Sequence, residues 1–333
     1  MAATQATSSV RRTDKLVMNA SDGACGRDYY NITTARALMD VFAIVNPLSG
    51  AGANPDVAAG RVALLTQRFA AAGITGVIHL TERRGHAAEL ASVAIARGAR
   101  SVLAWGGDGT INETGTVVAG TSTALGIVPA GSGNGFAAEL GVPWQPADAI
   151  DVAIHGRDRL VDAGEIDGRL FFNIAGIGFD AVIAEQFNLR GQGNRGMVPY
   201  VRIGIREMFR YRAGTYRVTL DGEELVSNAL VIAFANGREY GNRIRVAPQA
   251  LVDDGKLEAV VVEDRGAFSR LWTGRHLALG TAHKAARVRV RSIESARVET
   301  DGDILYHVDG EVGRVHGAVT IRVRPRLLKV RVP

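Results

Sequence analysis

From Val41 to about Val142, short β-branched or aliphatic runs alternate with Ala-rich stretches of helical periodicity, which predicts a parallel sheet covered by helices. The predicted strands are Val41 to Val45, Val77 to Thr81, Ser101 to Trp105 and Ala124 to Val128. Between the first two, Asn54-Pro55 offers an N-cap and an N1 proline, and Val62, Leu65 and Phe69 recur at helical spacing. Between the next two, Leu90, Val93 and Ile95 predict a helix that Gly98 ends. After about Asp151 the rhythm becomes mostly β. Asp167-Gly168 and Asp221-Gly222 read as hairpin turns, and strands are predicted at Ala229 to Phe234, Leu257 to Val262, Ala286 to Arg291 and Val319 to Val323. Pro199 to Arg212 differs. Arg202, Arg206 and Arg210 beside Val201, Ile205, Met208 and Phe209 predict a basic amphipathic helix, either packed with one solvated face or lying on an anionic bilayer.

The expected architecture is an α/β N-terminal domain over residues 39–150, with a parallel sheet and helices on its faces, and a mostly β C-terminal domain over residues 151–318. A flexible extension is expected over residues 1–38. The last strand, 319–332, would return to the first domain or seal the interface, and the active site would lie in the inter-domain cleft. At 333 residues the chain exceeds the size of most single cores, and 47% hydrophobic with 22% charged residues fits a soluble globular protein. Thirty-nine basic against 34 acidic residues give a net charge of +5, compatible with nucleotides or an acidic membrane surface. Cys25 is the single cysteine, so an intramolecular disulfide or thiolate metal site is excluded and a reducing cytosol is the expected setting. No apolar run approaches the ~18 residues of a spanning helix, so membrane contact is expected to be peripheral.

Candidate chemistry gathers where predicted strands end. Gly106-Gly107-Asp108-Gly109-Thr110 leaves a strand and leads at once into Ile111-Asn112-Glu113. Its glycines let backbone N–H groups approach a polyphosphate, and its Asp offers a Mg2+ ligand or a proton acceptor. Asn46-Pro47-Leu48-Ser49-Gly50, Thr81 and Pro129 to Asn134 fall at corresponding strand ends, where open α/β sheets bind ligands. A P-loop, a dinucleotide-binding glycine fingerprint and a protein-kinase motif set are all absent.

These blocks resemble the lipid kinases that share the diacylglycerol kinase catalytic domain, including bacterial diacylglycerol kinases and sphingosine kinases. The resemblance runs from about Val41 to the C-terminus. It is carried by Val45 to Gly50, Thr81 with Gly85-His86-Ala87, Gly106 to Glu113 and Pro129 to Asn134. Further on come Ala175 to Asp180, Ala235-Asn236-Gly237, Ala247-Pro248, Asp253 to Leu257 and Val308-Asp309-Gly310-Glu311. Ser132 and Gly135 stand where the diacylglycerol-kinase form of the third loop has Thr and Asp, which makes that loop closer to the sphingosine-kinase version.

The resemblance implies an ATP- and Mg2+-dependent kinase phosphorylating the primary hydroxyl of a membrane lipid, diacylglycerol first and a sphingoid base second. A soluble-substrate kinase of the NAD-kinase type and a nucleotide- or lipid-binding protein without turnover are the alternatives. It implies ATP contacts from Asn46, Pro47, Ser49, Gly50, Thr81, Gly106, Gly107, Asp108, Gly109, Thr110, Glu113 and Ser132. Glu113 could equally orient its own loop. Asp309 is expected as the base, with Glu311 supporting it and Asp108 on Mg-ATP, the first two being exchangeable. Asp180 would face the lipid head group, and Asp254 would hold a structural Mg2+, although each is also an ordinary cap or turn residue. A peripheral place on the cytoplasmic side of an anionic membrane is expected, without nucleic acid as a partner and with homodimerisation left open.

Overall fold

The computed structural model describes residues 30–31, 39–50, 55–131, 133–189, 202–204, 206–207, 210–239, 245–266 and 288–333. A two-residue strand, β1 (Tyr30–Asn31), lies within the segment expected to be a flexible extension and runs antiparallel to β3. Strands β2 (Val41–Val45), β3 (Gly76–Leu80), β4 (Ser101–Gly106) and β5 (Ala124–Pro129) pair in the order β3-β2-β4-β5, every pair parallel. Their unbroken apolar runs are buried almost throughout, as a sheet covered on both faces requires. Helices α1 (Pro55–Ala72), α2 (His86–Ala96), α3 (Asp108–Val118), α4 (Gly135–Glu139) and α5 (Pro146–His155) lie between or after these strands.

Local chemistry explains the boundaries. Helix α1 begins at Pro55, while the expected cap Asn54 is outside the described residues. Helix α2 stops as Gly98 predicts: Gly98 takes φ +72, its N–H bonds to Ile95 O, and Ala99 N–H reaches back to Ala94 O. That pair of bonds is a Schellman motif, which only a left-handed residue closes at low cost. Thr81, expected to end β3, opens the following loop, its N–H bonded to Val45 O at 2.9 Å.

The second half comprises β6 (Arg157–Ile166), β7 (Arg169–Phe171), β8 (Ile174–Gly178), α6 (Phe179–Leu189), β9 (Gly214–Leu220), β10 (Glu223–Ala235), β11 (Leu257–Glu263), β12 (Val288–Ile293), β13 (Ser295–Val308) and β14 (Glu311–Val332). Its strand pairs are antiparallel. Asp167-Gly168, Asp221-Gly222 and Asp309-Gly310 each place two consecutive residues at positive φ, the type I′ geometry of two-residue hairpins. Of the strand expected at Ala286 to Arg291, Ala286 and Arg287 are outside the described residues. Asp180, read from the sequence as a head-group contact or a helix cap, is the second residue of helix α6, whose Phe179, Val182, Ile183 and Phe187 recur at helical spacing.

Strand β14 joins the halves. Up to Arg324 its side chains Val319 and Ile321 enter the core of the second half; from Leu328 onward, Leu328, Val330 and Val332 enter the core of the first. It pairs antiparallel with β13 and β6, and Val330 meets Leu125 of β5 in parallel, so one hydrogen-bonded sheet runs through both halves. The register of β6 and β14 shifts between Arg324 and Leu328, with Arg326 at φ +48. Asp162, fully buried, anchors this irregularity: its carboxylate accepts from Arg326 N–H at 2.6 Å and Gly255 N–H at 2.7 Å. Asp162→Ala strands both donors and is expected to cost roughly 1–3 kcal/mol in urea denaturation, with Asp162→Asn costing less. A loss below about 0.5 kcal/mol would show that the bulge is held by pairing alone.

Candidate active site

The loops leaving β2, β4 and β5 are tied to one another. Asn46 N–H bonds to Trp105 O at 2.9 Å, and its Nδ2 donates to Thr110 Oγ1 at 3.0 Å, joining the first loop to helix α3. Arg61 of α1 clamps that loop from behind. Its guanidinium donates to Asn46 O at 2.5 Å, to Ser49 Oγ at 3.2 Å and to Ser49 O at 2.6 Å, and lies 5.4 Å from the centre of the Trp105 ring. Burial lowers its pKa, but an arginine so far above neutrality stays charged. Gly50, at φ +91, lies so near Ala130 that a Cβ would stand 2.9 Å from the Ala130 carbonyl oxygen. Pro47 is half-buried beside Asn46.

The second and third loops touch backbone to backbone. A Cβ on Gly131 would stand 2.8 Å from Gly107 Cα, and one on Gly106 would stand 2.5 Å from Thr110 Cβ. Asp108, the first residue of α3, closes this arrangement: Oδ2 accepts from Asn134 N–H at 2.9 Å and Oδ1 from Gly135 N–H at 3.2 Å. Asn134 itself is left-handed, at φ 48. Protein atoms crowd the carboxylate, and this desolvation, opposed by the two N–H bonds and reinforced by the negative charge of Asp309, raises its pKa from 3.8 to about 6. Ser132 is outside the described residues. Glu113, on the side of α3 opposite Ile111, points to the neighbouring helix, where Oε1 accepts from Gly85 N–H at 2.9 Å and Oε2 from Ala87 N–H at 3.2 Å. Its carboxylate therefore caps α2 and fixes the loop that follows Thr81. His86 serves the same loop, its Nδ1 accepting from Glu82 N–H at 3.1 Å.

The second half contributes the hairpin Asp309-Gly310. Asp309 Oδ1 accepts from Asn173 N–H at 3.0 Å and Ile174 N–H at 2.9 Å; Oδ2 accepts from Phe172 N–H at 2.9 Å and Asn112 Nδ2 at 2.8 Å. Asn112 also donates to Leu170 O at 3.0 Å, so one side chain of α3 grips two elements of the other half. Glu311 pairs with Arg84 of the loop after β3, and a Cβ on Gly109 would stand 3.2 Å from Glu311 Oε1. Asp108, Gly109, Asp309 and Glu311 thus meet where α3 begins.

Two residues fall elsewhere. Asp180 is buried beside His307, its Oδ2 3.3 Å from Nε2 of the ring. Asp254 is exposed and, among the described residues, accepts from Lys256 N–H at 3.0 Å, as a turn residue does; among the described residues no cluster of three His, Cys, Asp or Glu could hold a metal. Arg61, Asn112, Arg84 and His307 were not singled out by the sequence. Asn112 alone gave a signal, lying inside the glycine-rich block, whereas the others depend on contacts between distant segments.

Residues 40–166 match the family model described as the diacylglycerol kinase catalytic domain, and residues 173–332 match the YegS C-terminal NAD kinase beta sandwich-like domain. The chain is 32% identical over 302 residues to a diacylglycerol kinase of Mycobacterium tuberculosis, covering 86% of this chain and 95% of that one. This chain belongs to the diacylglycerol kinase family. A Cronobacter sakazakii protein named "Probable lipid kinase YegS-like" is 30% identical over 298 residues, 86% of this chain and 94% of its own. The fold is also that of a diacylglycerol kinase crystal structure from Bacillus anthracis, with TM-score 0.67 and 20% identity over 88% of this chain and 97% of that one. As a member of this lipid kinase family the protein is a kinase. Among the described residues of this diacylglycerol kinase homologue no helix is long and apolar enough to cross a membrane.

Because the pKa of Asp108 is raised by folding, its protonated form is favoured in the native state; that stabilisation is complete below pH 3.8 and lost as pH rises through about 6. Carboxyl 13C NMR of the nucleotide-free protein should place its midpoint near 6. Asp309→Asn should move the midpoint down, since one repelling charge is gone; an unmoved or higher midpoint would break the electrostatic link between the two carboxylates.

Proposed function

We propose that the protein transfers the γ-phosphoryl group of ATP to the primary hydroxyl of a membrane lipid, diacylglycerol first, with Mg2+ accompanying the nucleotide. The observation that carries this reading is the meeting of Asp108, Asp309 and Glu311 at the start of α3, beside two loops whose backbones touch with no side chain between them. Glycine backbones leave N–H groups free to approach phosphate oxygens. The names borne by the relatives supply the lipid acceptor. A sphingoid base is the second acceptor, favoured by the Ser132 and Gly135 form of the third loop.

Bonding capacity divides the carboxylates. An ionised carboxylate offers about four acceptor positions, and Asp309 uses four. It is a fixed anion that aligns the two halves, whereas Asp108 keeps acceptor capacity and has a pKa of about 6, suited to taking a hydroxyl proton near neutral pH. The expected roles of these two are therefore exchanged in this proposal. Mg2+ prefers one or two carboxylates, phosphate oxygens and water, and Glu311 over Gly109 is the side chain that would hold it; the ion neutralises charge on the transferred group.

Labelled γ-phosphate from Mg-ATP should appear in diacylglycerol in a panel that also contains sphingosine, ceramide and NAD, and Asp108→Asn should reduce it at least about 100-fold. Label in NAD alone would reassign the protein to the soluble-substrate kinases.

The acceptor lies in a bilayer, and the exposed Arg202, Arg206 and Arg210 share a helical segment with buried Ile203. Val201, Ile205, Met208 and Phe209, expected on the apolar side, are outside the described residues. We propose that these arginines meet an anionic membrane surface, each contributing about 1 kcal/mol of attraction. Replacing all three by Gln should weaken sedimentation with anionic vesicles and lower activity there, while activity in neutral detergent micelles stays unchanged. Equal losses in both would place the arginines in folding or catalysis instead.

A further inference from the structure

We propose that His307 is a positioning residue for phosphoryl transfer, mounting the Asp309-Gly310-Glu311 turn on helix α6 through Asp180. This rests on the kinase reading above. His307 lies two residues before Asp309 and is 3% exposed; Asp180, the second residue of α6, is 7% exposed. Gly310 N–H donates to His307 Nδ1 at 3.4 Å, and Nε2 lies 3.3 Å from Asp180 Oδ2. A neutral imidazole has one donor and one acceptor nitrogen, so an accepting Nδ1 assigns the proton to Nε2, facing the carboxylate. The other Asp180 oxygen accepts from Ala181 N–H at 2.8 Å, which ties the pair to the first turn of α6.

Two further observations show that the pair has a built place. Gly176 of β8 leaves room for both side chains: a Cβ there would overlap Asp180 Oδ2 and stand 2.8 Å from His307 Nε2. Helix α6 also holds the other polar group of Gly310, since Asn188 Nδ2 donates to Gly310 O at 3.0 Å. Both the N–H and the C=O of the residue between Asp309 and Glu311 therefore lead to α6. The two central residues of this hairpin are left-handed; Asp309's bonds, the pairing of β13 with β8 and the Arg84–Glu311 pair hold its arms, and the His307 and Asn188 bonds hold Gly310 at its tip. Holding groups in line is most of what phosphoryl transfer asks of a protein, and a displacement of about 1 Å can cost about 100-fold in rate.

The test compares His307→Leu, which removes both nitrogens, with His307→Asn, whose Oδ1 can accept from Gly310 N–H. Each full-length variant is assayed with Mg-ATP and diacylglycerol in mixed micelles. His307→Leu should lower kcat about 10- to 100-fold while KM for ATP stays within about twofold, and His307→Asn should recover at least about a third of kcat. Equal kcat in all three proteins, KM rising in step with the fall in kcat, or Asn no better than Leu would each overturn the proposal. The histidine-selective 15N spectrum of the unaltered protein gives a readout that needs no turnover. An unprotonated Nδ1 with a protonated Nε2, assigned by loss of the signal in His307→Asn, supports the mount; the opposite tautomer overturns it. Should the unaltered protein phosphorylate no lipid, the kinase reading fails while this spectrum still decides the placement of His307.

Discussion

The carboxylate of Asp309 is the joint on which the site depends. Three of its four hydrogen bonds come from the consecutive N–H groups of Phe172, Asn173 and Ile174, and the fourth from Asn112 on α3. Charge-assisted bonds of this kind are about twice as strong as neutral ones, and they cross between segments far apart in the chain. Without this anion three backbone donors in the passage from β7 to β8 would lose their partner. Helix α3 would lose its grip on the hairpin, and Glu311 would no longer be set over Gly109. With all four acceptor positions used, its carboxylate is a fixed structural charge.

The remaining constraint is steric. The Gly131 backbone approaches Gly107 so closely that position 131 tolerates no side chain, and Gly176 is a recess occupied by Asp180 and His307. These glycines matter as much for what their absent Cβ admits as for their conformational freedom. Arg61 plays the opposite part, filling the space behind Asn46 to Gly50 with a buried cation whose Nη1 and Nη2 donate to the loop and whose Cζ lies over the Trp105 ring. The result is a loop cluster held by side chains behind it.

The continuity of the sheet couples the two halves. A covalent linker alone would leave them loosely coupled, yet β14 runs from the Asp309 hairpin into the first sheet and is paired with β6 along the way. The register shift near Arg326, anchored by Asp162, is the point where that strand changes cores. Strand pairing on either side of the shift keeps the two halves in one sheet.

Periodicity and turn chemistry made much of the fold legible: β2 and β4, the end of α2 at Gly98 and the hairpins at Asp167 and Asp221 all follow from local rules that need no distant partner. The pairing of Tyr30-Asn31 with β3 was not legible, since it depends on an edge supplied by a remote strand. The glycine-rich blocks announced where a site would lie because they are contiguous in sequence. Which carboxylate is saturated, that Glu113 caps α2, that Asp180 faces an imidazole and that Arg61 braces the first loop were decided by tertiary structure alone. A sequence can specify a residue's type and its local backbone, but its hydrogen-bond partners and the water around it are set only when distant segments close upon it.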